Sequence, residues 1–298
     1  MLEKILEYGN QQNCKTVKFD FQLADPSVLT DLKTFLQWFC VNVADSLDLE
    51  DNLDQYWRDI FGLNKNCTRY FQKYLLSVTD TPLILALDNF ERLFGEKEIF
   101  GEFCLLLRGW YETAKQGERV GKLWKKMRLI VVYSTDDYPK LNTNHSPFNV
   151  GLLIELPEFT QQQVTELAQL YELKLDSQAV NSLIALVGGN PYLVTRAFDC
   201  LKNQSLSLEQ LLQTAPTEEG IYSDRLRQLL WNLQQNPQLV AAFKQVVTAS
   251  KPIMLDTERG FKLKSMGLVK LSGDGYLTSC DLYQKYFSVH LKDTKAGG

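Results

Sequence analysis

The sequence predicts an α/β domain built on a parallel sheet, followed by an all-helical region and a winged-helix domain. Three observations predict it. Short unbroken apolar runs at 83–87 and 129–133 alternate with amphipathic helical stretches, the pattern of strands buried on both faces and joined by crossover helices. After Pro157 the strand patterns stop and helical periodicity takes over. Near the C-terminus, short strand-like runs at 268–271 and 276–278 flank the turn 272–275, Ser-Gly-Asp-Gly, as a wing does after helices.

Taken in order, Leu2, Ile5 and Leu6 share one helical face with no capping residue before them, so residues 2–9 read as a helix entered in the middle. Residues 10–13 break that pattern, and 16–21 alternate apolar and polar side chains as a strand. From Pro26, a favoured first-turn residue, Val28, Leu29, Leu32, Phe35, Leu36, Phe39 and Val43 recur at helical spacing and predict one long helix. An acidic connection over 45–59 leads to a helix carrying Tyr70, Phe71, Tyr74 and Leu75, which ends before Pro82. The strand at 83–87, a helix over 100–110, the strand at 129–133 and a further strand at 152–156 complete an α/β core assigned to residues 1–157. Thr160 caps the first of the helices assigned to 158–215, and Pro216 and Gly220 mark the linker into the winged-helix domain, 216–298.

Composition narrows the function. The 298 residues carry 45% hydrophobic and 23% charged side chains and a net charge of -4, which argues against nucleic-acid binding by the whole surface. The six cysteines never adopt C-x-x-C spacing and read as buried, reduced thiols; the two histidines, His145 and His290, lack partners at ligand spacing. No apolar run reaches the roughly 20 residues a membrane span needs, so a cytoplasmic protein without membrane partners is expected.

The chemistry-bearing residues cluster at strand ends. The apolar run 83–87 delivers Asp88 to the C-terminal edge of a parallel sheet, where a carboxylate can hold a magnesium ion beside a nucleotide; an aspartate there can also simply cap the next helix. Asn89 follows where a glutamate would polarise water, and an amide cannot accept that proton. Glu91 is the next carboxylate able to substitute for it. The run 129–133 ends in Ser134 and Thr135, polar groups at the same edge. The 298 residues contain no G-x-x-x-x-G-K-[ST] phosphate loop. The stretch 117–123 is one residue short between its glycines and has Leu123 where a hydroxyl is needed. Lys115, Arg119, Lys122, Lys125, Lys126 and Arg128 around it form a basic patch suited to an acidic partner or to plain solvation. In the 188–191 junction, Gly-Gly-Asn-Pro, Gly189 suits a left-handed helix cap and Pro191 the first turn of the next helix, which carries Arg196. On the candidate recognition helix, 256–266, Arg259, Lys262 and Lys264 lie beside Asp256 and Glu258.

Several strings occur together and in order: 87–94 (Leu-Asp-Asn-Phe-Glu-Arg-Leu-Phe), 107–111 (Leu-Arg-Gly-Trp-Tyr), 146–151, 155–160, 188–193 (Gly-Gly-Asn-Pro-Tyr-Leu) and 281–287. Together they make the chain resemble the AAA-like domain family abundant in cyanobacteria. The resemblance implies a P-loop ATPase fold of the signal-transduction type with a helical lid and a winged helix. It implies ATP and magnesium as cofactors, Asp88 as the magnesium carboxylate and Arg196 as a lid residue sensing phosphate. Members carry their phosphate loop just before the helix that resembles residues 2–8, so the resemblance implies that the loop and the first strand are missing here. The expected function is a regulatory scaffold with degenerate ATP binding and no hydrolysis, acting through protein partners or self-association at the exposed sheet edge. A truncated ATP-binding switch and a winged-helix DNA-binding regulator are the alternatives.

Overall fold

The structure is a computed structural model that describes residues 1–117, 119–134, 150–203 and 205–291. It divides into two compact units, Met1–Ile154 and Glu155–Gly298.

In the first unit, helix α1 (Leu2–Gln11) precedes strand β1 (Lys15–Asp20). Helices α2 (Leu32–Asp45), α3 (Leu53–Tyr56) and α4 (Leu63–Tyr70) follow, and α4 runs through a π-turn at Phe71–Leu75 into α5 (Leu76–Val78). Strand β2 (Leu83–Asp88) leads through a short 3-10 turn, Phe90–Leu93, to α6 (Lys97–Lys115), α7 (Arg119–Trp124) and strand β3 (Met127–Val131). The strands form one parallel sheet in the order β1-β2-β3, with Asp20 opposite Asp88 and Leu85 opposite Leu129. Central position explains the unbroken apolar sequence of β2: Leu83, Leu85, Ala86 and Leu87 are all fully buried.

Alternation along β1 sends Val17 and Phe19 to one face and Thr16, Lys18 and Asp20 to the other. On the first face Phe19 meets Trp38 and Phe39 of α2, and an aromatic cluster of Phe21, Phe35, Phe90 and Phe103 continues the core with mostly edge-to-face rings. On the second face lies α1, where Thr16 donates to Asn10 Oδ1 at 2.9 Å and Lys18 donates to Glu3 Oε1 at 2.7 Å. Gly9 makes the close approach possible, since a Cβ there would stand 2.5 Å from Ile84 Cδ1. Buried Asn66 closes the connection before α4 by bonding both the N–H and the carbonyl of Arg58 and the carbonyl of Phe61.

Two expectations change here. The helix expected from Pro26 begins six residues later: Pro26–Leu29 is a 3-10 turn capped by Asp25, and Asp31 then starts α2 by accepting the Thr34 N–H at 3.0 Å and its hydroxyl at 2.7 Å. Two capping aspartates compete with a continuous helix, and the apolar spacing alone does not register that competition. The strand expected over 152–156 is not one. Residues 152–156 carry no strand pairing, and Leu152, Leu153, Ile154 and Leu156 are 87%, 63%, 62% and 63% exposed. Apolar composition alone does not make a strand, whose backbone must also be paired with a neighbour.

The second unit opens with α8 (Gln161–Leu170), α9 (Ser177–Val187), α10 (Pro191–Lys202) and α11 (Leu208–Thr214). Capping boxes at Thr160 with Gln163 and at Ser207 with Gln210 start α8 and α11. Residues 215–220 make a packed turn, with Ala215 fully buried and no room for a Cβ on Gly220, 2.3 Å from the Thr214 carbonyl oxygen. Then come α12 (Ser223–Gln234), α13 (Pro237–Thr248) and α14 (Thr257–Ser265), the antiparallel pair β4 (Val269–Ser272) and β5 (Gly275–Thr278), and α15 (Asp281–His290). The pair turns at Gly273, which has a positive φ of 59°, and gains a bridge from Ile253 to Tyr276. Phe198, Tyr222, Phe243, Tyr286 and Phe287 anchor the core of this unit.

Candidate functional site

Of the polar residues expected at strand ends, Asp88, Asn89, Glu91 and Ser134 gather at the C-terminal edge of the parallel sheet, where α/β folds place their ligands. Asp88 ends β2 and Asp20, its register partner, ends β1. Neighbouring parallel strands lie about 4.8 Å apart, so the two carboxylates are adjacent. Asp88 Oδ1 accepts the Asn89 N–H at 3.1 Å, and Asp88 Oδ2 lies 3.5 Å from Lys18 Nζ. The Asp88 side chain is only a fifth exposed.

Asn89 adopts the left-handed conformation, φ 52° and ψ 41°, which asparagine tolerates better than most residues. Its side chain does not reach into open space. It donates from Nδ2 to Asp20 Oδ1 at 2.7 Å, and the same oxygen accepts the Gln22 N–H at 2.8 Å. Asn89 therefore orients Asp20. Glu91 sits on the 3-10 turn pinned by buried Phe90 and Leu93, and its Oε2 accepts the Ser134 N–H at 3.1 Å. Ser134 thus joins the site through its backbone. The end of β2 and the chain after β3 are laced together by Val132 N–H to the Leu87 carbonyl at 2.8 Å and Phe90 N–H to the Val132 carbonyl at 3.0 Å.

Thr135 lies outside the described residues. Arg196 is on α10 of the second unit, on an exposed position. In the 188–191 junction the residue with positive φ is Gly188, at φ 66° and ψ -161°, and not Gly189, so neither glycine forms the left-handed helical cap expected. Gly189 is required for a different reason: a Cβ would stand 2.2 Å from the Phe159 carbonyl oxygen, and the Phe159 N–H donates to the Gly189 carbonyl at 2.7 Å. Asn190 caps α10 by accepting the Leu193 N–H, with Pro191 in the first turn.

Sequence reasoning missed Lys18, Asp20 and Glu3. The available signal was that β1, like β2, ends on an aspartate, and that Lys18 precedes it by two residues on the same face. The hydrogen bond to Glu3, before all else, raises the pKa of Lys18, and the Asp88 charge adds to it.

The basic residues elsewhere are partly committed. Lys115 pairs with Glu112 and lies over the Tyr111 ring, Lys126 donates to the Thr79 carbonyl, and Arg128 bonds the Lys125 carbonyl. On α14, Arg259 is held by Asp256 and Lys264 lies 3.8 Å from Glu155. The 117–123 stretch includes helix α7, in which a Cβ on Gly121 would collide with the Gln116 carbonyl, so it is no phosphate loop. Cys104 and Cys280 have pKa values pushed up by burial to about 12 and about 11, which keeps both thiols protonated. Among the described residues no group of three or more His, Cys, Asp or Glu is arranged to hold a metal, and no helix is long and apolar enough to cross a membrane.

No curated protein matches the sequence. Among solved structures, a Walker-type ATPase of Pyrococcus abyssi is similar, with a TM-score of 0.53 over 93% of this chain and 85% of that chain at 12% identity, a likeness of fold. The AAA-like domain profile matches residues 1–289, nearly the whole length, and the chain belongs to the AAA-like domain family.

Proposed function

We propose that this chain is a regulatory module of the AAA-like ATPase fold that works as an interaction scaffold, with nucleotide binding weak and hydrolysis absent in the 298 residues given. The observation that carries it is Asp88 at the C-terminal edge of the central parallel strand, with Asp20 beside it and Asn89 committed to Asp20. The carboxylate oxygens of Asp88 and Asp20 suit magnesium, a hard cation usually held by one or two carboxylates together with substrate phosphates. Magnesium, when bound, would neutralise charge on the phosphates of ATP. Asp88 would contact it, Asp20 would stand beside it under the control of Asn89, and Glu91 would fix the chain at Ser134. Asn89, whose amide is committed to Asp20, cannot accept a proton from water.

Calorimetric titration with Mg-ATP tests this reading. The expected outcome is an affinity weaker than about 100 μM and turnover indistinguishable from a blank, because the 298 residues contain no glycine-lysine phosphate loop to supply the backbone amides and the lysine. A low-micromolar dissociation constant would overturn it.

The partner surface is assigned to protein in preference to nucleic acid. Support comes from α14 and the hairpin after it, read as a winged helix, where Arg259 and Lys264 are engaged by acids while Met254, Phe261 and Leu271 are 70%, 55% and 55% exposed. Self-association through β3 is part of the same reading, since this strand is apolar apart from exposed Arg128, only half-buried, and paired on one side among the described residues. Light scattering across a concentration series should show dimers or larger species. A monomer at 100 μM would remove the self-association.

A further inference from the structure

Lys18 bridges two carboxylates of unequal hold. Its Nζ is 2.7 Å from Glu3 Oε1, a charge-assisted hydrogen bond, and 3.5 Å from Asp88 Oδ2, an ion pair too long for a good hydrogen bond. The other Asp88 oxygen accepts the Asn89 N–H. The carboxylate assigned above to the divalent cation is thus already neutralised, but loosely. A cation reaching Asp88 does not add to an empty charge; it exchanges for an ammonium. The lysine keeps its shorter contact to Glu3 during that exchange, so only the longer of its two contacts has to break. Whatever Lys18 retains near the metal then repels it, and Glu3 lies in the first turn of α1, so the exchange is felt by the helix that covers this face of the sheet.

We propose that Lys18 is a displaceable counter-ion that sets the divalent-cation affinity of Asp88 and links its occupancy to α1 through Glu3. The inference rests on the reading of Asp88 as the cation-holding carboxylate. Manganese, followed by the paramagnetic signal of the free ion, is the probe, used with the full chain. Lys18→Met should tighten Mn2+ binding roughly tenfold at low salt, and the gain should shrink in 0.5 M KCl as the charges are screened. Glu3→Gln should weaken it about threefold, because the released ammonium settles on Asp88. Asp88→Asn should abolish it. If Lys18→Met does not fold, Lys18→Thr, which suits a strand, carries the same expectation. Unchanged or weaker Mn2+ binding in a folded Lys18 variant, with Asp88→Asn still inactive in binding, would overturn the counter-ion role and leave Asp88 in place. Binding that survives Asp88→Asn, or no binding in any variant, would remove the reading of Asp88 and this inference with it.

Discussion

Asn89 shows how one residue type can satisfy two demands at once. The backbone there is left-handed, which costs a β-carbon-bearing residue about 1–2 kcal/mol and costs asparagine less, and its amide has a carboxylate to donate to. A glutamate at this position would lose the tolerance and place a third negative charge beside Asp20 and Asp88. Asn89→Glu is therefore expected to destabilise the first unit by about 2 kcal/mol, seen as a lower urea midpoint with an unchanged slope. Asn89→Gly should lose less, because glycine keeps the backbone and gives up only the bond to Asp20. A glutamate variant as stable as the parent would mean that Asp20 does not need its donor. The identity of Asn89 was legible in the sequence; its partner was not, because Asp20 lies 69 residues away and only strand pairing brings the two together.

At the scale of elements, identical chemistry has opposite outcomes. Leu85 and Leu152 both belong to short apolar runs, yet Leu85 is fully buried in the central strand and Leu152 is 87% exposed. Leu85→Ala should cost about 3 kcal/mol through lost burial and the cavity left behind. Leu152→Ser should change stability by less than about 0.5 kcal/mol, since the side chain is largely exposed among the described residues. Paired chemical-denaturation curves would show the contrast, and a large loss at Leu152 would mean that the run is covered in solution. Periodicity identified β1, β2, β3 and most helices because burial on a given face repeats along the chain. It overextended the helix at Pro26, where side-chain caps decide the conformation, and misjudged 152–156, an apolar run that pairs with no strand among the described residues.

For the whole molecule, each unit has a core of its own. The second is built from Val164 through Leu291 and contains Phe198, Tyr222, Phe243 and Phe287 fully or almost fully buried. Tyr222 also spends its hydroxyl inside this unit, donating to the Leu193 carbonyl at 2.7 Å. Residues 155–298 expressed alone are expected to keep their helical circular dichroism and to unfold in a single cooperative transition. A fragment that is molten or aggregates would show that its core is incomplete without the first unit.

The sequence by itself determined the alternation of strands and helices in the first unit, the change to helices after Pro157, the hairpin near the C-terminus and the arrival of Asp88 at a strand end, since all of these are local consequences of periodicity and turn chemistry. Only the tertiary structure decided what surrounds Asp88. Lys18 and Asp20 come from one strand, Glu3 from a helix and Asn89 from a turn, and their contacts depend on the β1-β2 register and on the packing of α1 over it. Register and helix packing are properties of paired surfaces, so they can be read only when both surfaces are in place.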